Sequence, residues 1–272
     1  MTAIWRSAAV QKWAIAIKIA PILVGLVAAR AVVDATNASF IDLTGLFGSM
    51  IAANVFVLGF LLAGTLADYK ESERLPGELA SSIETIADEC LITYRHKGAP
   101  EALDALAYMS DFSSALWRWF HKQERTKDLL TRVSGMNDFF LAFESLTQPN
   151  FIVRMKQEQN NIRRMILRID AIRDTPFLAV GYSMSYISTV ALLAGLLFAN
   201  IEPYYQAMFY LVAIGFLLIY LTVLIKDVDN PFDHYKHGAE SAHVSLKPIF
   251  DIDEKLRGYT EEVGPVRAPS TG

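Results

Sequence analysis

The residue types that most often carry catalysis or bind metals are sparse in this sequence and are not arranged as a recognised site. His234 and His237 lie three residues apart, but a solvated loop explains that spacing better than a metal pair. Cys90 is the only cysteine, which excludes an intrachain disulfide and a multi-cysteine metal site. No phosphate-binding loop and no nucleophile elbow is present. The sequence therefore predicts no catalytic residue, metal site or cofactor, and a protein that is not an enzyme.

The charged residues are unevenly distributed, and their distribution is more informative than the average composition. The chain is 53% hydrophobic and 20% charged, with a formal net charge of −4. Nucleic-acid binding needs a clustered basic surface, which this sequence lacks. We therefore expect no nucleic-acid partner.

Three stretches contain no charged residue and are long enough to cross a bilayer, which requires about 20 apolar residues. They are 25, 27 and 23 residues long and run over 43–67, 175–201 and 203–225. A fourth candidate, Trp13 to Val33, contains Lys18 and Arg30 near its ends, where long side chains can reach the interface by snorkelling. The sequence predicts four transmembrane helices, the last two joined as a tight hairpin through Ile201-Glu202.

A polar block separates the second and third predicted spans. Residues 68–174 hold 15 of the 25 lysines and arginines, whereas the links predicted on the other side hold only Arg30. The positive-inside rule then places the block and both termini in the cytoplasm. We expect a multi-pass protein of a bacterial inner (plasma) membrane, with the lipid bilayer as its main partner.

The polar block itself has helical periodicity. Apolar residues recur at three- and four-residue steps around Ile83–Cys90, Leu116–Phe120 and Ile162–Ile172, with breaks at Gly98-Ala99-Pro100 and Gln148-Pro149-Asn150. The predicted fold class is all-α, and no segment alternates like a strand. The predicted organisation is an N-terminal segment 1–67 with spans one and two, a helical cytoplasmic region 68–174, spans three and four over 175–229, and a cytoplasmic segment 230–272, disordered near its end.

The second span continues into charged sequence without a helix-breaking residue before Pro76, so we expect one helix over about 43–75. On such a helix Ala52, Phe56 and Phe60 stack at four-residue spacing, and Asn54 points away from that line.

Three short motifs on this chain, taken together, resemble those of the bestrophin family. The first is Phe56-Val-Leu-Gly-Phe60 with Tyr69, Glu71, Leu75 and Gly77 after it. The second runs from Asn160-Asn161 through Arg173-Asp174-Thr175-Pro176-Phe177 to Tyr182, and the third is Asp227-Val-Asp-Asn-Pro-Phe232. They occur in the family's order and spacing, and with the four spans they cover the chain to about Lys255.

The resemblance implies a homopentameric ion channel that conducts small monovalent inorganic ions, either an anion such as chloride or a cation. By position, Ala52, Phe56 and Phe60 would form the hydrophobic neck of the pore, and Phe177 would lie at the cytoplasmic aperture. A narrow apolar constriction can gate by losing its water. Ala52 is smaller than the bulky residue expected at the outermost level, which suggests a wider or shorter neck.

Charged residues near the predicted pore leave two interpretations open. At 100° per residue, Glu71 falls about 20° from Phe60 around the helix axis, so five copies would form an acidic ring that favours cations. Alternatively, Glu71 pairs with a cytoplasmic arginine or lysine. Arg163, Arg164 and Arg168 similarly predict either a solvated or intersubunit face, or a vestibule that attracts anions.

Calcium-gated members of the family carry a run of acidic residues after the Pro-Phe pair, whereas this chain reads Asp233-His-Tyr-Lys-His-Gly238 there. Calcium needs six to eight oxygen ligands, so we expect no calcium clasp. The alternative function is a non-conducting membrane scaffold or sensor. A secondary transporter would predict inverted repeats, and an intramembrane enzyme an ionisable pair within spans two to four; the sequence has neither.

Overall fold

The computed structural model describes residues 2–42, 44–174, 179–229, 231–232 and 244–263. In these residues the chain is almost entirely helical, as predicted. The α-helices are α1 (Thr2–Ala35), α2 (Gly45–Lys97), α3 (Pro100–Phe120), α4 (Thr126–Ala142), α5 (Pro149–Asp174), α6 (Ala179–Leu197), α7 (Tyr204–Val228) and α8 (Lys247–Val263). A 3-10 turn at Phe143–Ser145 follows α4, and two short strands are β1 (Ile41–Asp42) and β2 (Ala199–Asn200).

Four helices are long and apolar enough to cross a membrane, which confirms the number of predicted spans. The apolar stretches lie in α1 from Ile15, in α2, in α6 from Val180, and in α7. The chain divides into two compact units. The apolar unit contains Met1–Tyr69 and Pro176–Pro231, and the polar unit contains Lys70–Thr175 together with α8. Helix α2 contributes its first part to the apolar unit and the rest to the polar unit.

Within the apolar unit, α7 packs against both α1 and α6. Its core is a leucine-rich cluster contributed by α2, α6 and α7, consisting of Leu58, Leu61, Leu192, Leu218 and Ile225. Helices α2 and α6 approach closely at Gly195, where an added Cβ would lie 2.6 Å from the Phe47 ring. Strands β1 and β2 pair in parallel, with Ile41 opposite Ala199, and tie the α1–α2 link to the α6–α7 link.

In the polar unit, α3 packs on α4 and α8, and α4 packs on α5. The predicted apolar stripes form its core: the side chains of Ile83, Ile86, Ala87, Cys90, Leu116, Trp119, Phe120, Ile162, Met165, Ile166, Ile169 and Ile172 are all buried. Both predicted breaks are present. Gly98 adopts a left-handed φ of 63° and donates from its N–H to the Tyr94 carbonyl, which ends α2 as a helix C-cap. Helix α5 begins at Pro149.

Three details of the sequence interpretation are wrong. Helix α2 does not stop before Pro76 but continues to Lys97, because Leu75, Pro76 and Leu79 are buried together in the polar unit. Helix α6 ends at Leu197, so the link to α7 is longer than Ile201-Glu202. The chain also contains β1 and β2, each only two residues long and so too short to show an alternating pattern.

Arg30 does not snorkel away from the apolar unit. Its side chain is only 2% exposed and forms an ion pair with Asp34 at 2.8 Å. Its guanidinium also donates to the carbonyl oxygens of Leu197 at 2.8 Å and Ala199 at 2.6 Å. These carbonyls follow the last turn of α6 and need donors, so Arg30 connects the end of α1 to the end of α6.

Candidate functional site

Helix α2 presents an exposed stripe in the apolar unit, and the residues predicted for the neck lie on it. Ala52 is exposed, and Phe56 and Phe60 are 76% and 59% exposed, although phenylalanine is ordinarily a core residue. The other members of the stripe, at three- and four-residue steps, are small: Ser49, Ala53, Gly59, Ala63 and Ala67. Small residues allow helices to approach closely within a membrane, so this face is suited to packing against other helices around the two rings.

The opposite face of α2 is packed inside the apolar unit. Leu58 and Leu61 belong to its core. Asn54 is 5% exposed; its amide donates to the Thr189 hydroxyl at 3.0 Å, and its carbonyl oxygen accepts from the Ser188 hydroxyl at 2.6 Å. These hydrogen bonds join α2 to α6 at one defined rotation of α2 about its axis. That rotation leaves Phe56 and Phe60 on the outside of the unit.

Glu71 is ion-paired, which is the interpretation in which it binds a nearby arginine. Its two carboxylate oxygens accept from the Arg168 guanidinium at 2.8 and 2.6 Å, in a bidentate arrangement on α5. Glu71 lies beyond the charge-free stretch that ends at Ala67. The hydrogen bond from Arg168 lowers the pKa of the Glu71 carboxyl below its ordinary value, so the group stays ionised at neutral pH.

The third bestrophin-like motif takes part in a contact that sequence reasoning did not predict. The Tyr182 hydroxyl of α6 donates a short hydrogen bond to the Asp229 carboxylate just after α7. In the polar unit, Phe232 of the same motif is fully buried, and its ring lies 5.9 Å from that of Phe120. The motif is therefore structural in both units, in addition to ending α7.

Several predicted residues lie outside the described part of the chain. Phe177, predicted for the aperture, is among them, as are Asp233, His234 and His237. Within the described residues, no group of three or more His, Cys, Asp or Glu side chains is arranged to hold a metal ion.

Comparison of the sequence with known protein families finds no match, and comparison with curated proteins finds none either. Comparison of the fold with solved structures does find relatives. Three are crystal structures of a bacterial bestrophin homolog from Klebsiella pneumoniae, each carrying a mutation. They are 17%, 15% and 16% identical to this chain, with TM-scores of 0.71, 0.73 and 0.73. The matches cover 89–90% of this chain and 97–99% of those chains.

The chain therefore has a bestrophin-like fold over most of its length, which confirms the resemblance first identified in its motifs. At this level of identity the likeness concerns the fold alone. Together with four helices of spanning length, that fold makes the chain an integral membrane protein.

Proposed function

We propose that this chain is a passive channel for small monovalent ions, assembled from five copies around a central axis, with the exposed stripe of α2 lining the pore. Phe56 and Phe60 would form an apolar neck, with Ala52 at its outer end, and Phe177 would form the aperture. In the family that the fold resembles, this arrangement conducts ions without chemical catalysis. The proposed location is a bacterial inner membrane, with both termini in the cytoplasm.

The observation that carries the proposal is the exposure of two phenylalanine rings on a face of α2 otherwise made of small residues. Five such faces turned toward one axis would narrow the pore to two aromatic rings. An apolar constriction of that kind excludes ions when it dries, and widening it should let water and ions pass.

Glu71 would lie about 16 Å beyond Phe60 along α2, at a rise of 1.5 Å per residue. Because each carboxylate is paired with Arg168, five copies would form a ring of ion pairs rather than a ring of bare negative charge. Such a ring selects cations more weakly than unpaired acids would. The sign of the permeant ion can be measured from reversal potentials in asymmetric potassium chloride.

We expect the double variant Phe56→Ala/Phe60→Ala to conduct several-fold more current than the wild type in a planar bilayer, because removing both rings widens the neck and keeps it wet. Phe209→Ala is the matched control, since Phe209 is also an exposed phenylalanine of the apolar unit, at 66%, but lies on α7. Its conductance should equal that of the wild type.

Equal currents from the double variant and the wild type would remove the neck assignment. Silence of the wild type and the double variant in liposomes, at varied voltage, pH and ion composition, would instead favour the non-conducting scaffold or sensor.

A further inference from the structure

In the polar unit, α2 and α5 run antiparallel and are joined by side chains at three levels. The three contacts follow one register along the two helices: Arg168 to Glu71 at 2.6 Å, Ser82 to Glu158 at 2.8 Å, and Arg154 to Glu89 at 3.3 Å. Between the first and second of these levels no direct contact of this kind closes the space between the helices.

That gap is a cavity of about 700 Å³. Its lining includes, from α2 and α5, Gly77, Glu78, Ser82, Asn161, Arg164 and Arg168. The wall is open at Gly77, where an added Cβ would meet no atom within 4 Å. A volume of this size lies within the range of small-molecule sites, which is about 300–1,000 Å³.

The charges on the cavity wall do not cancel. Arg168 is paired with Glu71, and Glu78 lies 3.6 Å from Arg74. Arg164 has no carboxylate within ion-pair distance in the described part of the chain. The cavity wall therefore carries one uncompensated positive charge.

The Arg164 guanidinium is held in position by a neutral neighbour. It donates to the Asn161 carbonyl oxygen at 2.5 Å, and the Asn161 amide in turn donates to the Glu158 carboxylate at 3.1 Å. A guanidinium has five N–H donors in a planar fork, and this contact uses only part of them. The remaining donors match the oxygens of a carboxylate or a phosphate.

We propose that this cavity binds an organic anion of metabolite size, bearing a carboxylate or a phosphate group, with Arg164 as its cationic anchor. The ligand would bridge α2 and α5 at the level where the protein's own contacts are missing. This site is separate from ion conduction, because binding can be measured without current, and it holds whether or not the pore assignment does.

The test is calorimetric titration of the purified full-length protein with two probes, succinate for a dicarboxylate and glycerol 3-phosphate for a phosphate ester. We expect saturable binding of at least one probe, and the tighter of the two identifies the anionic group. Arg164→Gln should weaken that binding about tenfold or more, because a charge-assisted bidentate contact is lost, whereas Arg164→Lys should retain part of it.

Arg163→Gln is the matched control. Arg163 precedes Arg164 on the same helix, but its guanidinium donates to the Ser134 hydroxyl of α4 at 3.3 Å. This variant should bind the probe as the wild type does, and the unliganded melting temperatures of all three variants should show that each is folded. The proposal is overturned if neither probe binds the wild type, or if Arg163→Gln and Arg164→Gln lose equal affinity.

Discussion

Arg30 shows how a single buried cation can hold two helix ends together in an apolar environment. Within hydrocarbon an unpaired charge is costly, and helix-terminal carbonyl groups have no water to bind. Arg30 satisfies both needs, because it pairs with Asp34 and donates to the carbonyls beyond α6. Its role is therefore structural.

Replacing Arg30 by methionine should lower the free energy of unfolding by about 3 kcal/mol, because Asp34 then loses its partner while remaining partly buried. Thermal unfolding in detergent or nanodiscs measures the change. Lys18→Met is the control, since Lys18 is an exposed cation on the same helix and its loss should alter the melting temperature little. Equal effects of the two substitutions would argue against the role given to Arg30.

At the scale of elements, the rotation of α2 decides which of its residues can line a pore. The Asn54 hydrogen bonds to α6 and the burial of Leu58 and Leu61 fix that rotation. One polar residue per helix is a strong orienting device in an apolar setting, because the alternative rotations leave its amide without partners. The face that carries Phe56 and Phe60 is exposed as a consequence.

Asn54→Ala should cost about 1 kcal/mol of stability, the usual range for a buried hydrogen bond between membrane helices. It should also broaden the distribution of single-channel conductances, because α2 is then less firmly oriented. Ser49→Ala is the control on the same helix, since the Ser49 hydroxyl donates only to the Gly45 carbonyl within α2. Our account of α2 would fail if the two variants had the same stability and conductance.

The sequence was sufficient for the helices and insufficient for the contacts between them. The stripes from Ile83 to Cys90 and from Ile162 to Ile172 predicted buried faces correctly, because helical periodicity is a local signal. The partner of Glu71 lies 97 residues away, and the carbonyls bound by Arg30 lie 167 and 169 residues away. No local pattern encodes such distances. The Arg164 cavity is likewise a gap between two helices, which spacing along one helix cannot reveal.

At the scale of the whole molecule, the apolar surface of one copy has to be covered by lipid or by other copies. Most of that surface, such as Phe209 on α7 and Ile187 on α6, carries large side chains suited to contact with acyl chains. The α2 stripe differs, because its small residues favour close approach by another protein helix. This difference supports placing α2 at the centre of an assembly.

Projection images of the protein in a bilayer should therefore show rings with five-fold symmetry. Phe60→Cys labelled with mercury should add density on the symmetry axis, because the five labels converge there. Native Cys90 should not interfere, since it is buried at 1% exposure and inaccessible to the reagent in the folded protein. Phe209→Cys is the control and should add density away from the axis. A different symmetry would reject the pentamer, and peripheral density from Phe60→Cys would mean that α2 faces lipid, which would leave the rings without a shared axis and the channel without a neck.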